Sequence, residues 1–219
     1  MRCDILTLFP DMVEAVVGSS IVGRARESGR VDVRVVNLRE YAEGRHKVAD
    51  DYPYGGGAGM VLRVDVVAAA LDAVYGEQPG RRVIALTPQG RQLTQAVVEE
   101  LAQEEELTLL SSRFEGFDER IVSHLCSDAI SIGPYVLSGG ELPAMVLLDA
   151  IARRLPGALS VGSGESESFS DALEGGLEYP HYTRPAEFRG WKVPDVLLSG
   201  DHGRIDAWRA EQSRQRSVR

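Results

Sequence analysis

Cysteine is nearly absent: Cys3 and Cys126 are the only two in 219 residues. They lie far apart, with no CxxC pair and no zinc-ligand spacing. That excludes a disulfide scaffold and points to free thiols in a reducing compartment. No apolar run approaches the roughly 18 residues that a spanning helix requires, so no membrane contact is expected. The opening MRCDILTLFP lacks a basic stretch followed by a long apolar one, so no signal peptide is expected and a cytoplasmic location is. Net positive charge is missing too. The chain has 24 Lys+Arg against 33 Asp+Glu, a formal charge of −9, which argues against indiscriminate nucleic-acid binding. The common catalytic signatures are also absent. There is no GxxxxGK(S/T), no HExxH and no GxSxG, and no GxGxxG follows the first strand, so the ordinary dinucleotide reading fails.

At 43% hydrophobic residues, the chain is long and apolar enough for one sizeable core. Charge is polarised along it. Residues 99–128 hold nine acids and two bases, whereas residues 181–219 hold eight bases and five acids. Strands are predicted over 2–9, 31–38, 82–87, 107–111 and 128–132, where β-prone apolar residues cluster. Helices are predicted over 11–18, from an Asp65 cap to Tyr75, from a Thr94 cap to about Gln103, over 117–125, and from Pro143 to a Pro156-Gly157 stop. Residues 44–63 read as loop. Ser199 is the expected cap of a closing helix near 200–215. This alternation predicts an α/β fold with a mostly parallel sheet. Residues 160–176 (SVGSGESESFSDALEGG) carry little apolar content and read as a flexible linker or lid between 1–159 and 177–219.

Four glycine-bearing loops stand out, most of them directly after predicted strands: Pro53–Gly59, Thr87–Gly90, Arg113–Gly116 and Gly133–Gly140. In an open α/β sheet, ligands bind beyond the carboxyl ends of the strands. Loops with little side chain let backbone groups approach a ligand closely. Together they predict a backbone-lined pocket.

The strings DDYPYGGGAGM (50–60), LTPQGR (86–91), RFEGFDER (113–120), SIGPYVLSGGELPAM (131–145), YPHYTRP (179–185) and VPDVLLSGDH (193–202) go further. The chain resembles the bacterial tRNA (guanine-N1)-methyltransferases that modify guanosine 37 beside the anticodon, the TrmD family. The likeness runs in order over nearly the whole chain. It implies a SPOUT-type α/β fold with helices on both faces of the sheet and a deep C-terminal trefoil knot, one of the exceptions to the rule against knots. It implies a homodimer with the active site at the subunit interface, S-adenosyl-L-methionine as methyl donor, and tRNA with G at position 37 as partner. It also implies a small helical tRNA-binding domain over 177–219. The sequence leaves open whether Mg²⁺ assists, and no metal ligands are assigned.

Carried across residue by residue, the resemblance assigns the donor to three loops. The first is Leu86, Thr87, Pro88, Gln89 and Gly90. The second holds Ser112, Phe114, Glu115 and Gly116. The third is Ile132, Gly133, Pro134, Tyr135, Val136, Leu137, Gly139 and Gly140. Guanine N1 must lose a proton as the methyl arrives, which needs a carboxylate within reach. Glu167 stands where the family has the aspartate of Asp-Ser-Phe, and Asp171 is the alternative. Charge then builds on guanine O6, and Arg153 is the matching guanidinium. Arg45, His46 and Asp50 are the expected substrate contacts. The chain departs from the usual strings at Ser111-Ser112 (Cys-Gly), Phe114 (Tyr) and Pro134 (Asp). Two competing readings are a non-catalytic RNA-binding dimer that keeps the pocket, and a knotted methyltransferase acting on another RNA.

Overall fold

The computed structural model describes residues 1–76, 82–159 and 167–218. The chain divides into two compact units, Met1–Ala158 and Leu159–Arg219. The first unit is built on β1 (Arg2–Thr7), α1 (Pro10–Val17), α2 (Ser20–Glu27), β2 (Asp32–Asn37), β3 (Asp50–Asp51), β4 (Val61–Leu62), α3 (Val64–Tyr75), β5 (Arg82–Gln92), α4 (Gln95–Leu101), β6 (Glu106–Ser111), β7 (Asp128–Ser131) and α5 (Glu141–Arg154).

Five strands form one sheet in the order β2-β1-β6-β5-β7, and every pair in it is parallel. Alternation along β1 divides the core in two. Cys3 and Ile5 face a cluster with Val13 and Val17 of α1, Val22 of α2, Val98 of α4 and Leu148 of α5. Leu6 faces the opposite cluster with Val66, Val67 and Ala70 of α3. Both faces of the sheet are thus covered, as a parallel sheet requires. Asp4 points to the α3 side and is 1% exposed. Arg34 holds it with two bonds of 2.9 Å and the Tyr75 hydroxyl donates to it at 2.7 Å, so the buried carboxylate is paired.

Local chemistry differs from expectation in four places. The sequence reading contains no helix at 20–27, where α2 lies. The expected 117–125 helix is present over 119–125, with Ile121–Leu125 wound as a π-helix. Asp65 does not cap α3. The preceding residue Arg63 takes the N-cap position without a side-chain bond, and Asp65 pairs with the Arg63 guanidinium instead. Within the expected 44–63 loop, β3 and β4 close a short antiparallel ladder.

The second unit carries a hairpin of β8 (Glu187–Phe188) and β9 (Trp191–Lys192), then α6 (Asp195–Leu198) and α7 (His202–Ser217). No strand is predicted there from the sequence. The cap of α7 is Asp201, which accepts from Arg204 N at 3.1 Å; Ser199 instead accepts from Asp201 N at 3.2 Å. Of the expected 160–176 linker, 160–166 lie outside the described residues. Residues 167–176 form a closed turn in which Phe169 N donates to Gly176 O at 2.7 Å.

Candidate active site

β5 is interrupted in a way that shapes the site. Leu86 and Arg91 both pair with Ile130 of β7, so residues 87–90 are thrown out of the ladder between them. Pro88 has no N–H to lose by leaving it. Gly90 returns the chain against β7, where a Cβ would lie 2.4 Å from Ile130 N.

The loop after β6 turns at Phe114 and Gly116, whose φ angles are +58° and +110°. It is braced by β4: Glu115 N donates to Met60 O at 2.9 Å and Leu62 N donates to Gly116 O at 3.0 Å. A Cβ on Gly59 would lie 2.4 Å from Glu115 Oε1, so the glycine-rich turn between β3 and β4 packs directly against this carboxylate. After β7, Gly133 N donates to Ser131 Oγ at 3.3 Å and Tyr135 N donates to Gly133 O at 2.9 Å, which curls the third loop. The Tyr135 ring fills the space where a Cβ of residue 133 would sit, only 2.1 Å away.

These three loops enclose a cavity of about 410 Å³ at the interruption of β5 and the carboxyl ends of β6 and β7. That volume lies in the usual range of about 300–1,000 Å³ for ligand pockets. Its lining includes Leu86, Thr87, Pro88 and Gln89 of the first loop, and Ser112, Phe114, Glu115 and Gly116 of the second. The third loop contributes Ile132, Gly133, Tyr135, Val136, Leu137 and Gly139. Three of the expected donor residues, Gly90, Pro134 and Gly140, are not in the lining. Gly140 has a packing role: a Cβ there would lie 2.7 Å from Ser111 Cα. Arg113, which opens the second glycine-bearing loop, also lines the cavity, as do Phe117, Glu119, Val122 and Pro143, which lie outside the four loops.

Among the described lining residues Arg113 is the one base, and it contacts buried Glu141 at 2.9 Å. Glu115 and Glu119 are exposed and acidic, so the walls favour a cationic ligand. Leu86 is buried and Leu137 is 36% exposed, and both supply apolar surface to a flat ring. The cavity therefore combines an acidic wall, apolar surfaces and closely approaching backbone, which fits a donor with a sulfonium and an adenine.

The remaining expected site residues are not among those that line the cavity. Arg153 lies in the last turn of α5. Pro143, in the first turn, touches the cavity, and at 1.5 Å per residue Arg153 sits about 15 Å further along the helix axis. Glu167 and the Asp171–Leu173 turn belong to the second unit. Arg45 and His46 are exposed, Asp50 starts β3, and none of the three is in the cavity lining. Among the described residues no helix is long and apolar enough to cross a membrane.

Comparison with known proteins gives the same picture along the whole chain. The family model described as tRNA (Guanine-1)-methyltransferase TrmD matches residues 1–219. A tRNA (guanine-N(1)-)-methyltransferase of Halalkalibacterium halodurans is 54% identical over 220 residues, covering 100% of this chain and 88% of the relative. Those of Brevibacillus brevis and Geobacillus kaustophilus are 53% and 52% identical, each over 99% of this chain and 88% of the relative. A match of this extent, over a cavity with this geometry, makes the chain a member of the TrmD family of tRNA (guanine-1)-methyltransferases.

Proposed function

We infer that this protein transfers a methyl group from S-adenosyl-L-methionine to N1 of guanosine 37 in tRNA, next to the anticodon. One observation carries the chemistry: a backbone-lined, acidic-walled cavity at the break in β5 and the ends of β6 and β7, in a chain of this family. When bound, S-adenosylmethionine supplies an electrophilic methyl on a positively charged sulfur. Leu86 and Leu137 would pack against the faces of its adenine, and backbone groups of 132–138 would bond the adenine edge. Glu115 and Glu119 favour the charged donor over the neutral product that leaves. The Glu167 carboxylate takes the N1 proton as the new carbon–nitrogen bond forms. The Arg153 guanidinium meets the negative charge that builds on guanine O6. Arg45, His46 and Asp50 contact the substrate, and residues 177–219 grip the anticodon branch.

The reading includes a trefoil knot through the donor loops and a homodimer with the active site at the subunit interface. Two features support the dimer. Arg153 lies about 15 Å along the α5 axis from Pro143, the residue of that helix in the cavity lining, which favours an arginine brought by a second copy. An apolar patch is also exposed on the first unit. Met12 and Val16 of α1 and Leu142 and Val146 of α5 are exposed on two helices that pack together, and Phe9, just before α1, is exposed too. Such a patch marks an interface. The protein is read as cytoplasmic, and its residues leave the role of Mg²⁺ open.

Methyl transfer to tRNA transcripts with G or A at position 37 tests the reading. We expect labelling of the G37 transcript alone, at N1. Transfer to both, or to neither, overturns it.

A further inference from the structure

The second and third donor loops meet over a carboxylate to which the chemistry above gives no role. Glu141, the first residue of α5, is fully buried. Its Oε1 accepts the Thr7 hydroxyl at 2.8 Å, and its Oε2 lies 2.9 Å from Arg113 Nε. Thr7 ends β1, and its Oγ1 also accepts Phe9 N at 2.9 Å. Arg113 forms a bridge with Gly139, and its Nη1 donates to Ser138 O at 3.3 Å. One carboxylate therefore joins the end of β1, the loop after β6 and the turn before α5. Gly139 makes the junction possible, because a Cβ there would lie 2.5 Å from both Arg113 Nε and Glu141 Oε2.

The junction is not optimised for stability. Arg113 Nε and Glu141 Oε2 are in ion-pair contact, yet neither completes a hydrogen bond, because the N–H is not aimed at the oxygen. The neighbouring Ser111 Oγ is likewise buried without a partner. Three of the five such atoms among the described residues gather at this point. Buried polar groups are normally satisfied, and an apolar replacement of a buried ion pair is often no less stable. A charge kept here under imperfect bonding is better explained by geometry than by stability.

We propose that Glu141 is a positioning residue: through Arg113 and Thr7 it sets the spacing of the 112–116 and 138–140 segments that form the donor cleft. The proposal rests on the reading of that cleft as the S-adenosylmethionine site. Glu141→Gln keeps the shape and an acceptor for Thr7 but removes the charge that holds Arg113. Calorimetry with S-adenosylhomocysteine, thermal unfolding and steady-state kinetics are compared with the wild type. We expect the product analogue to bind about tenfold more weakly and the KM for S-adenosylmethionine to rise in parallel, with kcat within about twofold and the KM for tRNA unchanged. Thr7→Val, a milder change that decides the matter if the first variant fails to fold, raises both constants about threefold. Unchanged donor affinity in a folded variant overturns the proposal. So does a fall in kcat at constant KM, which would put Glu141 in the chemistry itself. A wild type that does not bind S-adenosylhomocysteine overturns the donor reading, and this proposal with it.

Discussion

Glu167 is one methylene longer than the aspartate of the usual string, so the proposed proton acceptor reaches further from its backbone. Its backbone is held by the turn that follows, in which Ser170 N donates to Glu167 O at 3.1 Å. Glu167→Gln removes the acceptor without changing the shape, and kcat is expected to fall about 10²–10⁴-fold. Arg153→Ala removes the proposed O6 stabiliser and is expected to cost about 10²–10³-fold in kcat. Neither lies in the cavity lining, so both variants should bind S-adenosylhomocysteine like the wild type. Turnover intact in either variant removes that residue from its role. The two thiols give a second expectation at this scale. Burial, with the Asp4 charge behind it, pushes Cys3 up to about 12, and burial alone does the same to Cys126. At pH 8 the thiolate fraction of each is then about one part in 10⁴. A thiol reagent should leave both unmodified in the folded protein and label both in denaturant; rapid labelling of the native state would contradict this. Glu141 shows what a single sequence hides at this scale. Its partners Thr7 and Arg113 are 134 and 28 positions away, so nothing in SGGEL marks it as buried and paired.

Among the elements, those with strong local signals were legible and those decided by distant partners were not. Thr94 caps α4 as its sequence predicts, accepting from Val97 N at 3.4 Å. Gly76 ends α3 with a φ of +60°, which glycine adopts readily. α2 escaped because SIVGRARE holds only three buried residues in eight and no side-chain cap. Ser199 and Asp201 are both chemically able to cap, and only the backbone geometry chooses between them. The edge strand β7 is tied down by charges from other elements. Arg91 of β5 contacts Asp128 of β7 at 2.7 Å and Glu100 of α4 at 2.9 Å, and Arg82 reaches Asp128 at 3.1 Å. Bonds from Arg91 and Arg82 hold the Glu100 carboxyl at about 2, below its ordinary 4.5. Burial raises the Asp128 carboxyl, but the two arginines outweigh it and the net direction is down. A carboxyl depressed in the folded state stabilises fully above its unfolded value and loses that contribution as pH falls through the folded one. The network should therefore weaken from about pH 4.5 down to about 2. Urea midpoints measured across that window should fall more steeply for the wild type than for Glu100→Gln. Parallel curves would mean that solvent already screens the pair.

For the whole molecule, the parallel α/β class and the three-loop pocket were legible because glycine-rich turns follow apolar runs at each strand end. The order β2-β1-β6-β5-β7 was not, since pairing between strands distant in sequence leaves no local mark. Assembly can be tested from the placement of Arg153. If an arginine serves the partner's cavity, a subunit that has lost it and a subunit that has lost its pocket should repair one another. Arg153→Ala keeps the loops. Gly133→Val blocks the cavity, because its side chain must enter the space of the Tyr135 ring. Each homodimer should be nearly inactive. When the two are mixed, dissociated and reassembled in equal amounts, half the dimers are mixed by random assortment. Each mixed dimer combines one intact pocket with one intact arginine, and its other site lacks both. The mixture should therefore recover about a quarter of wild-type activity. If Arg153 instead works on its own subunit's pocket, every site in the mixture lacks one partner and no activity returns. A protein that stays monomeric at assay concentration also gives no recovery, and its sedimentation would identify that cause.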